Sequence, residues 1–247
     1  MMSRVVASIE ARMGSSRLPG KVLMDVGGVP AIERVVRRLA LCRRIHDVVL
    51  ATTTSAADDA LDAWARSRGL AVYRGSEDDV LDRVVRAQRS MRSDIAVEVT
   101  GDCTLLDPEV IDLGVDTFFA NTCDVVTNAR VPSWPQGADV QVFRLDDLAH
   151  VAATVDDPAV REHVSLYFYE NPDRYRIIHL LAPASLQAPE QRLQLDYPED
   201  LRFIREVYRR LEPEYGDRFG VREILELLRR NADIARLNAS CIEKAVR

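Results

Sequence analysis

Short apolar runs alternate along the chain with longer segments in which apolar residues return every three or four positions. Val5-Val6-Ala7-Ser8-Ile9 reads as a buried strand. Pro30 to Leu39 reads as an amphipathic helix, with Ile32, Val35, Val36 and Leu39 forming its apolar stripe and proline in its first turn. The same rhythm predicts strands at 47–51, 70–73, 95–99 and 124–127, with helices at 57–68, 78–92 and 108–119 between them. Such alternation is the sequence form of βαβ units. The expected fold class is therefore α/β, with a mostly parallel central sheet.

After Asn128 the rhythm weakens. Val131 to Gly137, VPSWPQG, reads as a loop, followed by a short strand at 139–143, helices at 145–154 and 158–169, strands at 175–181 and 192–195, and helices at 198–211 and 221–230. No repeat, low-complexity tract or linker separates the halves. One domain over residues 1–247 is expected, with a first half ending near residue 128 and residues 129–230 elaborating the same sheet.

Composition narrows the class. With 47% hydrophobic and 29% charged residues, the chain has an ordinary globular balance, and its net charge of −6 argues against nucleic-acid binding. No apolar run reaches the length of a membrane span, and the N-terminus enters Val5–Ile9 without a cleavage site, so a cytoplasmic protein with no membrane partner is expected. Cys42, Cys103, Cys123 and Cys241 show no CxxC spacing, which predicts reduced thiols and neither a zinc site nor a disulfide framework.

The most informative stretch is Gly14-Ser15-Ser16-Arg17-Leu18-Pro19-Gly20-Lys21. Lys21 is one of two lysines among 33 basic residues, the other being Lys244 near the C-terminus. A compact ammonium after a glycine-bracketed loop, between a strand and a helix, suits a phosphate site. This is not a Walker A loop: five residues separate its glycines, and Val22 stands where a magnesium-binding hydroxyl would be. Metal ligands must then come from elsewhere. Asp102, in Thr100-Gly101-Asp102 at the end of a strand, is one candidate, with a turn-stabilising aspartate as the alternative. Asp196, between a strand and the helix after Pro198, reads as an N-cap, a second metal ligand, or both. Asp107-Pro108 reads as a helix cap, and Glu199 and Asp200 as complements to a helix dipole. Ser76 and Asp79 have capping-box-like spacing, while Arg74 and Gly75 remain nucleotide contacts to consider. His163 alone on a helix is more often structural than functional.

Taken together, Glu10 to Leu23, Ala51 to Thr54, Arg74 to Arg83, Thr100 to Cys103, Trp134 to Phe143, Arg161 to Val164 and Leu195 to Leu201 resemble the SpsF-type cytidylyltransferases of spore coat polysaccharide biosynthesis. These motifs span residues 4–211 in order, and the family is similar to the CMP-KDO and acylneuraminate cytidylyltransferases. The resemblance implies a Rossmann-like nucleotidyltransferase fold, CTP as donor, Mg2+ as cofactor, and an acidic sugar, sugar phosphate or phosphonate as anionic acceptor. It implies Asp102 and Asp196 as metal ligands, and Lys21, Arg12 and Asp102 as catalytic residues. Nucleotide contacts would come from Ala11, Arg12, Met13, Gly14, Ser15, Arg17, Lys21, Thr52, Arg74, Gly75 and Asp79, and acceptor contacts from Asp139 and His163. A homodimer is the assembly it suggests. Thr104 and Tyr197 depart from the family's usual proline and threonine. The alternative readings are a nucleotide-sugar-dependent glycosyltransferase and a non-catalytic nucleotide-binding protein.

Overall fold

The computed structural model describes residues 3–242; Lys244 lies outside the described residues. β1 (Val5–Glu10) is aliphatic almost throughout because it is hydrogen-bonded on both edges and covered on both faces. Its parallel neighbours are β2 (Asp47–Thr53) and β4 (Ile95–Thr100), and β3 (Ala71–Gly75) extends the sheet beyond β2. On the other side β6 (Gln141–Arg144) runs antiparallel to β4 and to β5 (Val125–Thr127), and β7 (Ile177–His179) closes the order β3-β2-β1-β4-β6-β5-β7. Strands from both halves of the sequence thus share one sheet.

Strand periodicity divides the core. Val5, Ala7 and Ile9 face a layer holding α1 (Ala31–Leu39), α2 (Asp59–Ser67) and α4 (Pro108–Ala120). To the same layer belong α8 (Pro198–Tyr215), α9 (Val221–Arg230) and the short α10 (Ala232–Ala235). The opposite face, with Val6, Ala96 and Phe143, packs on α3 (Val80–Ser90), α5 (Leu145–Thr154), α6 (Pro158–Glu162) and α7 (Leu166–Glu170). Asp107 caps α4 as its sequence predicts, accepting from Glu109 N–H at 2.8 Å, and its other oxygen takes Val221 N–H at 2.7 Å. Among the described residues no helix is long and apolar enough to cross a membrane.

Three expectations from the second half need correction. The helix expected at 158–169 is two short helices broken at His163-Val164-Ser165. The strand expected at 192–195 is an extended segment joined to loops, with Leu193 N–H on Gln136 O at 2.7 Å and Leu195 N–H on Asp102 O at 3.0 Å. The strand expected from residue 139 begins at Gln141, because Val140 N–H is taken by the Asn128 side chain at 2.8 Å.

Candidate active site

Loops leaving β1, β2 and β4 meet at one end of the sheet, the carboxyl end of parallel strands where α/β proteins gather ligands. The loop after β1 closes on itself: Met13 O accepts the N–H groups of Ser15 and Gly20, both at 3.0 Å. Gly20, at φ +73°, takes a left-handed turn that a side chain would strain. Buried Asp58 fixes this loop from outside, accepting Met13 N–H at 2.6 Å and the Thr53 hydroxyl. Ser15 Oγ accepts Leu18 N–H at 3.3 Å, while neither Gly14 nor Ser16 makes a hydrogen bond among the described residues. Their backbone amides are available to an anion.

Asp102 is pressed against this loop by Gly101. A Cβ there would lie 2.7 Å from Ala11 Cβ and 3.3 Å from Glu10 O, so only glycine permits the approach. Asp196 reaches the same place from far along the sequence, through the Leu195–Asp102 backbone bond. Between the two acids stands Lys21, whose Nζ lies 2.6 Å from Asp102 Oδ2 and 2.8 Å from Asp196 Oδ1. Arg17 joins Asp196 at 2.7 Å, and Thr100 Oγ1 donates to Asp102 Oδ1 at 2.6 Å. The structure therefore brings together four of the residues singled out from sequence: Arg17, Lys21, Asp102 and Asp196.

Burial pushes the Asp196 pKa up, but Lys21, Arg17 and Arg192 more than offset it and hold the carboxyl below its ordinary value. Burial alone would depress Lys21; Asp102 and Asp196 instead raise it, so the ammonium stays charged. Three cations, Lys21, Arg17 and Arg192, meet three anions, Asp102, Asp196 and Asp200.

Arg192 and Asp200 were not legible as site residues. Arg192 Nη2 donates to Asp196 Oδ2 at 2.5 Å, and its Nε reaches Asp200 Oδ1 at 3.2 Å. Asp200, expected only to complement a helix dipole, is fully buried and accepts the N–H groups of Asp196 and Tyr197 at 2.9 and 3.0 Å. Its place at the third position of α8, where an acid can reach back to the preceding amides, was the available signal.

Other sequence candidates lie apart from this cluster. Arg12 pairs with Glu77 at 3.2 Å on the exposed rim. Arg74 is occupied by Thr53 O, Ser55 O and Asp59 at 2.7, 2.8 and 2.7 Å, holding the loop after β2. Thr52 is wholly buried within the sheet. Gly75 ends β3 against Arg83, and Asp79 caps α3 through Asp82 N–H at 2.9 Å while pairing with Arg161 at 3.3 Å. Arg74 and Asp79 thus have structural partners, whereas the buried Thr52 hydroxyl has no hydrogen-bond partner among the described residues. Asp139 is half-buried before β6, and His163 occupies the break between α6 and α7.

A second group of acids lines the α3 face of the sheet. Glu10 and Glu98 each keep a buried carboxyl oxygen without a hydrogen-bond partner. Burial lifts Glu10 from 4.5 to about 8, countered by Arg83 and reinforced by Asp102, and Glu98 is raised by burial and by Glu10 and Asp139. Because folded Glu10 holds its proton where the unfolded chain has released it, stability falls as pH rises from about 4.5 toward about 8. Glu10→Gln is expected to flatten the fall in melting temperature across that window; an unchanged slope would refute the assignment.

A doubly covered α/β sheet whose basic β1 loop meets a pair of aspartates has the makings of a phosphate-binding site. The family model described as Cytidylyltransferase matches residues 6–231, and the chain belongs to that family. It is 35% identical over 240 residues to the spore coat polysaccharide biosynthesis protein SpsF of Bacillus subtilis, covering 95% of this chain and 98% of that one. It is 30% identical to the 3-deoxy-manno-octulosonate cytidylyltransferase of Anaeromyxobacter dehalogenans, with 84% and 91% of the two chains covered. Among solved structures, a cytidylyltransferase from Leptospira borgpetersenii superposes with a TM-score of 0.89 at 29% identity, covering 95% of this chain and 98% of that one.

Proposed function

We propose that the protein transfers CMP from CTP to a small anionic acceptor, an acidic sugar, sugar phosphate or phosphonate, with release of pyrophosphate. The observation that carries this reading is the Asp102–Lys21–Asp196 bridge beside a loop with unused amides. The acceptor oxygen attacks the α-phosphorus in line; a new P–O bond forms, the bond to the β-phosphate oxygen breaks, and pyrophosphate takes that electron pair. Arg12, Arg17 and the loop amides bind the polyphosphate, and Lys21 offsets the charge that builds on the leaving group. An acceptor that is already anionic needs no strong base. Asp139 and His163 bound the acceptor side.

Asp102 and Asp196 fit a hard divalent cation, since two carboxylates from separate segments already converge on one positive centre, the Lys21 ammonium. They would hold Mg2+. When bound, such an ion neutralises phosphate charge and favours in-line displacement.

Each nucleoside triphosphate is to be paired with a panel of anionic acceptors, with pyrophosphate as readout. Release with CTP and one acceptor class is expected; transfer only from a preformed nucleotide sugar would instead make the protein a glycosyltransferase. CTP binding without product over the whole panel would make it a non-catalytic nucleotide-binding protein. Asp102→Asn is expected to lower activity in a way that excess magnesium partly restores, and unchanged magnesium dependence would return Asp102 to a turn-stabilising role.

A further inference from the structure

Strand register places a continuous polar row beneath the site. Ser8 lies opposite Glu98, Glu98 opposite Gln141, and Gln141 opposite Thr127, so these four share the face covered by α3 and α7. Glu10 stands on that face one step further along β1, diagonal to Glu98 and about 6–7 Å along the strand direction from Ser8. Tyr169 on α7 seals the far side: its hydroxyl lies 2.9 Å from Thr127 Oγ1 and donates to Gln141 Oε1. Ser8 is held by Gln88 Nε2 at 3.0 Å. Every member of the row except the two glutamates therefore has a partner.

The glutamates are the anomaly. Glu98 is 8% exposed, yet its Oε2 has no hydrogen bond, and Glu10 Oε1 is equally orphaned. The charges that Glu98 senses are those of Glu10 and Asp139, both acidic. Arg83, the cation nearest Glu10, is engaged by the carbonyls of Ala51 and Ser76. Burial makes both carboxyls costly to ionise, Arg83 offsets only part of that cost at Glu10, and one oxygen of each goes without a hydrogen bond among the described residues. They are also only a few residues along β1 and β4 from Asp102.

We infer that the acceptor carries a protonated amino group, which docks between Glu10 and Glu98 while its reacting oxyanion faces Asp102 and Asp196. This rests on the cytidylyl-transfer reading and sharpens it, making the acceptor zwitterionic rather than simply anionic. A ligand ammonium supplies the positive charge that makes ionised carboxylates favourable there and can donate to both orphaned oxygens, whereas a hydroxyl brings one proton and no charge.

The test uses matched pairs that differ only in amine against hydroxyl: 2-aminoethyl phosphate with 2-hydroxyethyl phosphate, and glucosamine 6-phosphate with glucose 6-phosphate. Binding is measured by calorimetry with and without α,β-methylene-CTP and magnesium. For at least one pair the amine is expected to bind about tenfold or more tightly, the scale of a charge-assisted hydrogen bond, and Glu98→Gln is expected to erase that preference. Equal or better binding of both hydroxyl twins overturns the inference, and so does an amine preference that survives in Glu98→Gln. If that variant fails to fold, the wild-type comparison still decides, with Glu10→Gln as the second variant. Failure of the CTP analogue to bind would count against the cytidylyl-transfer reading, whereas pyrophosphate release that ignores the amine would count against this inference alone.

Discussion

Replacing Lys21 with alanine is expected to cut turnover by about 10²- to 10³-fold, the loss seen when one preorganised charge-stabilising donor is removed. The ammonium sits 2.6 and 2.8 Å from two carboxylates whose charges would otherwise repel, so it both sets the spacing of the acids and keeps a cation ready for incoming phosphate. Lys21→Arg is expected to rescue little, because a planar guanidinium cannot present one point charge to both acids in the same space. The measurement is pyrophosphate release at saturating CTP, with circular dichroism to confirm folding. Near-wild-type release from Lys21→Ala would remove this residue from the mechanism.

The largest effect on stability is expected at Arg192. Its guanidinium is almost fully buried and bridges Asp196 and Asp200, themselves buried, so Arg192→Ala removes the cation from Asp200 in a poorly solvated interior and leaves Asp196 to Lys21 and Arg17. Removing one partner of a buried ionic network costs about 3–5 kcal/mol. Urea unfolding should show a lower midpoint at pH 7, and Arg192→Ala combined with Asp200→Asn should recover part of the loss by withdrawing one unpaired charge. A change below about 1 kcal/mol would mean that the network contributes little beyond a surface pair.

The first half of the fold was legible because its strands and helices obey different periods and each βαβ step repeats the same signal. The later part was harder for identifiable reasons. Val160, Val164 and Phe168 recur every four residues and all enter one core, a spacing equally compatible with one continuous helix or with two short ones around a turn. Leu193 and Leu195 alternate with polar residues as a strand would, but their hydrogen bonds go to the loops at Gln136 and Asp102 instead of a sheet edge. At the site, glycine spacing and a rare lysine marked the basic loop, a carboxylate at a strand end marked Asp102, and the family resemblance singled out Asp196. Arg192 escaped because a buried cation has no local pattern until tertiary structure encloses it, and the capping position of Asp200 signalled a local bond but not its burial against Arg192. Arg74 and Asp79 are ambiguous in sequence, since a strand-end cation and a helix-start acid serve loops and caps as readily as ligands, and in this fold both have loop or cap partners.

Asn238 gives the site an unexpected dependence. Its side-chain amide donates to Asp200 at 2.9 Å and to Arg192 O at 3.0 Å, from a position 38 residues downstream of Asp200 and beyond α10. Protein engineered to stop after α9 would keep every strand described and every residue of the basic loop, yet Asp200 would lose a clamp, loosening the Arg192–Asp196 pair from behind.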